Sequence, residues 1–562
     1  MTGAAGASAG TAAPVPGEEL LFLPLGGAGE IGMNLNLYGA QGQWLMVDLG
    51  ITFGDEAAPG IDVILPDPGF IVGQRERLAG LVLTHAHEDH IGAVPHLWPQ
   101  LRCPIYATPF TARVLREKFE YTGLTEAEIT EVPLSGSFEV GPFGLELVTL
   151  THSIPEPNAV VVRTPFGSVL HTGDWKFDPR PVVGEVADEA GLRRIGDEGV
   201  LAMVCDSTNV FQPGESGSET DLRESLMELV GRFRHRVAIT CFASNVARIE
   251  TLAVVAAAHG RRPVLIGRAL WRMVEAARAT GYLHDLGSLM AEEQGKGLPR
   301  GEVLFICTGS QGESRAALSR IAAGNHPHVT LEEGDAVIFS SRLIPGNEAP
   351  IGRVINQFVR AGIEVLTEQD HFVHVSGHPA RDELARMYRL VRPRIVVPVH
   401  GEARHLAEQA RLARACQVPE AAVIENGDVL RLAPGPVEVT ARVPSGRLAF
   451  DGVRLLELDG PVLSDRRRMI FNGGAVVTLA MTPEGRLVGA PQVSALGLVD
   501  SEEETEILEA AAGAVRDAVE ALSEGERADD EVVREVARRA ARRAVNAAAG
   551  RRPVTAVHLV RV

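Results

Sequence analysis

The chain has 562 residues, which at roughly 150 residues per domain predicts about three or four domains. Hydrophobic residues make up 45% and charged residues 23%, a globular composition that excludes a disordered or collagen-like chain. The net charge of −19 argues only weakly against a nucleic-acid partner, because whole-chain charge says little about the field inside one cleft.

The first residues and the cysteines bear on where the protein works. Residues 1–18 are small and rich in Pro and Gly, so we expect a loose tail and not a signal peptide. No stretch approaches the roughly 18 consecutive apolar residues of a membrane helix. The five cysteines are scattered and form no CxxC pair, which favours a reducing, cytoplasmic setting.

From Leu20 to about Thr208 the pattern is mostly short strands separated by turns, which predicts antiparallel or mixed sheets with helices outside. A helix is expected around Phe110–Tyr121. Residues 27–32 fit G-x-G-x-x-G, but the alternating segment MNLNLYGA follows. Because a dinucleotide site needs a helix there, we interpret the glycines as a tight turn.

The rhythm changes between about Thr220 and Leu366, where apolar runs such as RVAITCFAS alternate with helical stretches. This alternation predicts a parallel, doubly wound sheet. From about Arg466 onwards, strands and helical runs rich in Glu, Ala and Arg predict a small α+β domain.

A cluster of polar residues, HAHEDH, follows the predicted strand LAGLVLT directly and spans His85–His90. So many polar groups cannot be buried as core packing without partners. Imidazole and carboxylate suit zinc, manganese or iron, and the lack of cysteine ligands argues against a closed structural zinc site. Because these side chains are too close in sequence to surround one ion, we expect two adjacent metal ions.

Other metal-type side chains stand at or near the ends of apolar strands, namely Asp48, His152, Asp174 and Asp206. Taken singly, each is explained as well by a turn or a strand cap. Together they predict that several strands deliver such side chains to one edge of a sheet.

Six motifs extend this pattern along the chain, in the order LGGAGEIGMN, HAHEDHIGAVP, HTGDWKFD, FASN, HVSGHP and VPVHGE. They resemble the β-CASP nucleases of the metallo-β-lactamase superfamily, and specifically the bacterial ribonuclease J family. The resemblance implies an α/β and α+β multidomain protein, in which a Rossmann-like β-CASP domain interrupts a metallo-β-lactamase αββα sandwich. The implied segments are a tail at 1–18, the sandwich at 19–217 and 371–455, the β-CASP domain at 218–370, a linker at 456–467 and a C-terminal α+β domain at 468–562.

The resemblance also implies two divalent metal ions per chain, Zn²⁺ and/or Mn²⁺. The implied ligands are His85, His87 and His152 for one ion, Asp89, His90 and His400 for the other, and Asp174 as the bridge. Asp48 and Asp206 would orient ligands. Histidine at position 400 is typical of members that cleave RNA, whereas relatives that cleave DNA tend to have an apolar residue there.

Two segments are implied to hold the substrate, Ser244, Asn245 and Val246 in the first and His374, Val375, Ser376, Gly377 and His378 in the second. An ordinary helix N-cap explains the first nearly as well. His378, together with Asp89 and Asp174, forms the expected catalytic set, in which His378 supports the leaving oxygen or clamps the phosphate. Pro379 departs from the alanine more common in the family and removes a backbone N–H near the phosphate. The turn at 309–312 is a further candidate for anion binding.

The implied activity is a ribonuclease of RNA maturation and mRNA decay, a 5′-to-3′ exonuclease that prefers 5′-monophosphate RNA and also cleaves internally by two-metal hydrolysis. The implied partners are single-stranded RNA, a second copy bound through the C-terminal domain (or a tetramer) and an RNA degradation complex, with no membrane. Three alternatives stay open. A small-molecule hydrolase of the same superfamily would not need the insert, a scaffold would not need the ligands, and a DNA repair nuclease is disfavoured by His400.

Overall fold

The computed structural model describes residues 14–55, 57–344, 346–498 and 504–562, so most of the expected tail lies outside the described residues. These residues form two compact bodies. The first consists of the chain up to Thr52 with Leu65–Gly446, and the second of Phe53–Ile64 with Arg447–Val562.

Two mixed sheets face each other in the first body. The first sheet contains, in spatial order, Glu438–Arg442, Asp428–Ala433, Leu20–Gly26, Leu35–Ala40, Gln43–Val47, Leu78–Val82, Ile105–Ala107 and Ile129–Glu131. The second contains Ser137–Val140, Phe143–Thr149, Asn158–Thr164, Gly167–His171, Ala202–Asp206, Ile395–Val399 and Glu420–Ala421. In each sheet, antiparallel neighbours on one side give way to parallel neighbours on the other.

Both faces of the second sheet are apolar because each is covered by another layer of the sandwich, and alternate side chains point to opposite faces. Val160 and Val162 pack into the core shared with the first sheet. Val161 points to the opposite face and packs with helix residues such as Leu192 and Met387. The arrangement confirms the predicted αββα sandwich.

The helices of this sandwich are Gly69–Val72, Glu88–Ile91, Val94–Leu101, Pro109–Thr122, Glu189–Glu198, Arg381–Val391 and Ala403–Ala415, with a 3₁₀ turn at Arg75–Arg77. The helix expected around 110–121 is therefore present. The helix Glu219–Val230 pairs with the insert helix Val246–Ala258 through Arg223–Glu250 and Glu219–Arg248. A short parallel pairing of Ala28–Gly29 with Gly401–Glu402 joins the glycine-rich segment to the end of the strand Ile395–Val399.

A parallel sheet forms the insert, as the strand–helix alternation predicts. Its spatial order is Met290–Ala291, Arg262–Ile266, Val303–Cys307, Val237–Thr240, Ala336–Phe339 and Glu364–Leu366. The helices between its strands are Val246–Ala258, Arg268–Ala279, Glu292–Gly295, Ala317–Ala322 and Glu348–Arg360, with a 3₁₀ turn at Arg300–Glu302. After the insert the chain returns to the sandwich, where Ile395–Val399 pairs in parallel with Ala202–Asp206.

The second body has its own small core, formed by residues such as Val477, Val515 and Val533. It contains the antiparallel pair Arg447–Asp451 and Arg454–Glu457 and a sheet of Gln492–Leu496, Gly474–Met481 and Val554–Arg561. Two short strands, Thr52–Phe53 and Val63–Pro66, stand at the ends of the segment Phe53–Ile64. Its helices are Pro461–Asn472, Glu504–Glu520, Glu524–Ala528 and Asp530–Ala549.

One of these helices begins within the segment 456–467, where a linker is expected from the family resemblance. Pro461 occupies its first position, where the missing N–H costs no hydrogen bond. None of the helices in the described residues is both long enough and apolar enough to cross a bilayer.

Candidate metal centre

The predicted ligands gather at one edge of the sandwich because most of them lie at or just beyond the end of a strand, while Asp89 and His90 lie on the short helix Glu88–Ile91 that follows one strand. Asp48 follows Gln43–Val47, and Thr84 and His85 follow Leu78–Val82. His152 follows Phe143–Thr149, and His400 follows Ile395–Val399. Residues from distant parts of the chain therefore meet at the same place.

Three imidazole nitrogens converge in the first ligand group, which comprises His85, His87, His152 and Asp174. Nδ1 of His87 lies 3.1 Å from Nε2 of His85 and 3.0 Å from Nε2 of His152. The second group comprises Asp89, His90, Asp174 and His400. In each group the ligand atoms all lie within 4.8 Å of one another.

Asp174 belongs to both groups, as the predicted bridge requires. Its Oδ2 lies 3.8 Å from Nε2 of His85 and 3.9 Å from Nε2 of His152. The same oxygen lies 3.2 Å from Nε2 of His90 and 3.5 Å from Nε2 of His400. Its other oxygen, Oδ1, is buried and has no hydrogen-bond partner in the described part of the chain.

The electrostatics of the first group fit a divalent cation. Burial lowers the pKa of His85 and His152 well below the ordinary value and that of His87 to about 4, so neutral nitrogens with free lone pairs face one another. Burial would raise the pKa of Asp174, but His400 and His90 hold that pKa well below its ordinary value. Deprotonated imidazoles and a carboxylate oxygen without a partner are what a divalent cation needs. The donor set therefore fits divalent metal binding.

Several ligands are oriented by a hydrogen bond on the side away from the cluster. Nδ1 of His90 lies 2.7 Å from Oδ2 of Asp48, which also accepts from Oγ1 of Thr84. Nδ1 of His152 lies 2.5 Å from the carbonyl oxygen of Gly377. A Cβ at position 377 would lie 2.5 Å from the His152 ring, which explains the glycine in HVSGH.

The glycine-rich segment that superficially resembles a nucleotide motif instead supports His400. The backbone N–H of Gly32 donates to Nδ1 of His400 at 3.3 Å. The side chain of Asn34 lies 3.0 Å from the same nitrogen and 3.2 Å from Nε2 of His90. Nothing in the sequence singles out Asn34 for this role, although it lies within the motif LGGAGEIGMN.

His378 lies over both ligand groups. Its ring centroid is 5.1 Å from that of His152 in the first group and 5.6 Å from that of His400 in the second. Its Nδ1 lies 2.8 Å from Oδ2 of Asp206, so Asp206 orients His378. Burial would lower the pKa of His378, but Asp206 and Asp174 outweigh burial and raise that pKa to about 9.

The loop 374–378 lies at the metal centre, whereas no hydrogen bond in the described chain joins Ser244, Asn245 or Val246 to it. Asn245 caps the helix Val246–Ala258 by accepting a hydrogen bond from the N–H of Arg248. The side chain of Val246 is buried, as is that of Val375. At Val246 and Val375, therefore, only backbone atoms are available to contact a ligand.

Arg248 links the insert to this loop, and sequence reasoning gave no signal for it. It is fully buried and pairs with Glu219 at 2.8 Å. It also donates to the carbonyl oxygens of Ser340 and Val373, the latter one residue before the loop.

Family profiles match most of the chain. "Metallo-beta-lactamase superfamily" matches residues 34–230, and "Ribonuclease J, beta-CASP domain" matches residues 234–358. "Zn-dependent metallo-hydrolase RNA specificity domain" matches residues 362–421, and "Ribonuclease J C-terminal domain" matches residues 461–562.

Curated relatives are similar over nearly their whole length. A "Ribonuclease J" of Sinorhizobium meliloti is 44% identical over 551 residues, covering 97% of this chain and 98% of that protein. A "Ribonuclease J" of Thermus thermophilus is 36% identical over 552 residues, covering 96% and 95%. One of Mycolicibacterium smegmatis is 38% identical over 520 residues, covering 91% of each chain.

A solved structure supports the fold alone. The crystal structure of a protein of unknown function from Enterococcus faecalis V583 aligns with a TM-score of 0.51 at 15% identity, covering 74% of this chain and 100% of that one. The domain order, the ligand groups and the similarity over nearly the full length agree with one another, and this chain belongs to the ribonuclease J family of metal-dependent hydrolases.

Proposed function

We propose that this ribonuclease degrades single-stranded RNA from the 5′ end, prefers a 5′-monophosphate, and also cleaves internally in RNA maturation and mRNA decay. The observation that carries the proposal is the position of the loop 374–378. Gly377 contacts the ligand His152, while Ser376 stands two residues before His378. A nucleotide held by this loop would present its phosphate to the ligand groups.

The proposed metal sites are those of the two ligand groups, with Asp174 shared. When bound, two divalent cations supply positive charge that activates the attacking water and offsets the charge that develops on the phosphate. The nitrogen and oxygen donors suit both Zn²⁺ and Mn²⁺. Asp89, whose side chain is 30% exposed, is open to solvent and substrate.

The chain's own residues would handle the proton of the leaving group. His378 stands beside both ligand groups, and Asp206 holds its ring at 2.8 Å. A protonated His378 can give its proton to the departing 3′-oxygen or hold the phosphate by a charge-assisted hydrogen bond. Direct attack by water leaves a 5′-phosphate on the product.

Assembly and location belong to the same proposal. We expect a homodimer, or a tetramer built from it, formed through the C-terminal domain, where Ile470 and Phe471 are 62% and 69% exposed. We also expect a cytoplasmic enzyme that joins RNA degradation complexes. The free thiols of its five cysteines suit that compartment.

Digestion of RNAs that differ only at the 5′ end tests the proposal. One single-stranded RNA is labelled at its 3′ end and prepared with a 5′-monophosphate, a 5′-triphosphate or a 5′-hydroxyl, and each form is incubated with protein and Mn²⁺. We expect mononucleotides to appear fastest from the monophosphate form. Equal rates on all three forms contradict 5′-end reading, and no RNA cleavage favours a small-molecule hydrolase or a scaffold.

A further inference from the structure

A chain of hydrogen bonds runs from the insert to the loop 374–378. Nη1 of Arg342 donates to Oδ1 of Asn209 at 2.9 Å. Nδ2 of Asn209 donates to Oγ of Ser376 at 2.7 Å and to the carbonyl oxygen of His378 at 3.1 Å. The partners fix the orientation of the Asn209 amide, because a flipped amide would point its NH₂ group at the guanidinium and its oxygen at a carbonyl.

The Ser376 hydroxyl is left as a donor. Its oxygen accepts from Nδ2 of Asn209 and, at 3.2 Å, from the backbone N–H of His378. A hydroxyl oxygen has two lone pairs, so both acceptor positions are in use. The hydroxyl proton of Ser376 has no acceptor among the described residues, so the group can donate a hydrogen bond to an anion.

Arg342 differs from the other cations near this loop. The charges of Arg248, Arg342 and Lys176 all act on His374, in which Nδ1 is buried without a hydrogen-bond partner in the described chain. Arg248 pairs with Glu219 at 2.8 Å, and Lys176 pairs with Asp178 at 3.2 Å. Arg342 forms no salt bridge with any described residue, and its side chain donates to the neutral Asn209.

The loop that carries Arg342 is held in place by Gln311. Nε2 of Gln311 donates to the carbonyl oxygen of Arg342 at 2.9 Å, and its Oε1 accepts from the N–H of Ile344 at 3.1 Å. The N–H of Gln311 donates to Glu313. In the turn at 309–312, which the sequence suggests as an anion site, the backbone N–H of Gln311 is therefore already paired, and the side chain of Gln311 positions the loop of Arg342.

We infer that Arg342 and Asn209 are positioning residues that set the preference for a 5′-phosphate by polarising the Ser376 hydroxyl towards it. This inference rests on the proposed 5′-phosphate site. A positive charge at the head of a donor chain strengthens each following hydrogen bond to an anion. RNA with a 5′-hydroxyl end carries no such anion, so its binding gains little from the hydrogen bonds that link Arg342, Asn209 and Ser376.

Variants of the full-length, metal-loaded protein separate this role from a structural one. Arg342→Gln keeps a donor for Asn209 and removes the charge, whereas Arg342→Lys keeps the charge. Asn209→Asp preserves size and the contact with Arg342 but cannot donate, so the Ser376 proton turns inward to the new carboxylate. Arg353→Gln, at an exposed position on the helix Glu348–Arg360, is the matched control.

The measurement is kcat and KM on the same RNA with a 5′-monophosphate or a 5′-hydroxyl. We expect Arg342→Gln and Asn209→Asp to reduce the monophosphate-to-hydroxyl ratio of kcat/KM by about tenfold, mainly through KM. Arg342→Lys should restore most of the ratio, and the control should keep it. Cleavage of hydroxyl RNA by Arg342→Gln and Asn209→Asp should fall less than cleavage of monophosphate RNA, so that the loss is specific to the 5′-phosphate.

Three outcomes overturn the inference. If the wild-type ratio is far from one and both variants keep it, Arg342 and Asn209 do not act on the phosphate. Equal losses on both RNAs mean that the two residues merely hold the loop. If the wild type itself treats both RNAs alike, 5′-end reading is wrong and the inference falls with it. Thermal unfolding of each variant identifies any that fails to fold, and Arg342→Gln, at a half-buried position, tests the charge without altering the core.

Discussion

Asp48 accepts a hydrogen bond from Nδ1 of His90 at 2.7 Å, and both side chains are almost completely buried. Asp48 has a φ of 63°, a left-handed conformation that costs energy in a residue other than glycine. The same carboxylate accepts from the N–H and the hydroxyl of Thr84. This strained residue therefore fixes the ring of one proposed metal ligand and the backbone just before another, His85.

Replacing Asp48 tests this support without removing a ligand. Asp48→Asn keeps the size of the side chain but weakens its hold on His90, so we expect the affinity for the metal held by His90 to fall by about 10- to 100-fold. Competition with a chelator of known affinity measures the change. Unchanged affinity in a protein that unfolds at the wild-type temperature would show that Asp48 does not orient the ligand.

His378 should affect the chemistry without affecting metal content. Because it touches both ligand groups but is held by Asp206, His378→Ala should lower kcat by about 100-fold or more on RNAs with either 5′ end. Metal per chain, measured by mass spectrometry of the elements, should stay at the wild-type value. His284→Ala, at an exposed position, serves as the control. Loss of metal in His378→Ala would identify His378 as a ligand instead.

Acid stability should depend on Asp178. Burial opposes ionisation of this carboxyl, but Lys176 and nearby N–H donors outweigh burial and lower the pKa of Asp178. A carboxyl whose folded pKa lies below its unfolded value of about 3.9 stabilises the fold above that pH, and the contribution disappears as pH falls through the folded pKa.

Asp178→Asn leaves the buried Lys176 without its charge partner, so the free energy of unfolding at pH 7 should fall by about 3 kcal/mol. The difference from wild type should shrink as the pH drops below about 4. Denaturant unfolding at several pH values measures both effects. Asp221→Asn removes an exposed partner of Arg180 and should cost less than about 1 kcal/mol. A pH-independent difference for Asp178→Asn would contradict the ionic explanation.

The exposed apolar residues of the helix Pro461–Asn472 should take part in self-association. Ile470→Ser and Phe471→Ser together should shift the protein from a dimer or tetramer towards monomer in light scattering. Val453→Ser, at a position that is 92% exposed in the same body, is the control for lost apolar surface. An unchanged mass for the double variant would exclude this surface from the interface.

Local patterns in the sequence predicted much of the fold. Strand alternation and the switch to strand–helix units indicated the two architectures, and His85–His90 indicated the metal centre, because these signals lie in contiguous residues. Contacts between distant residues left no such signal. Asn34 supports His400 from 366 positions away, and Arg342 reaches Asn209 across 133 positions. Asn34 and Arg342 are single polar residues in loops, and their roles arise only when folding brings them next to distant partners.

Asp174 offers the most direct test of the two-metal centre. Its Oδ2 lies 3.8 Å from His85 and 3.2 Å from His90, which belong to different ligand groups. Asp174→Asn should therefore lower bound metal from about two ions per chain towards one or none and abolish RNA hydrolysis, with the fold retained. The measurement is metal content by elemental mass spectrometry on the sample used for RNA digestion. Two ions per chain and wild-type cleavage in a folded Asp174→Asn protein would contradict a centre bridged by Asp174.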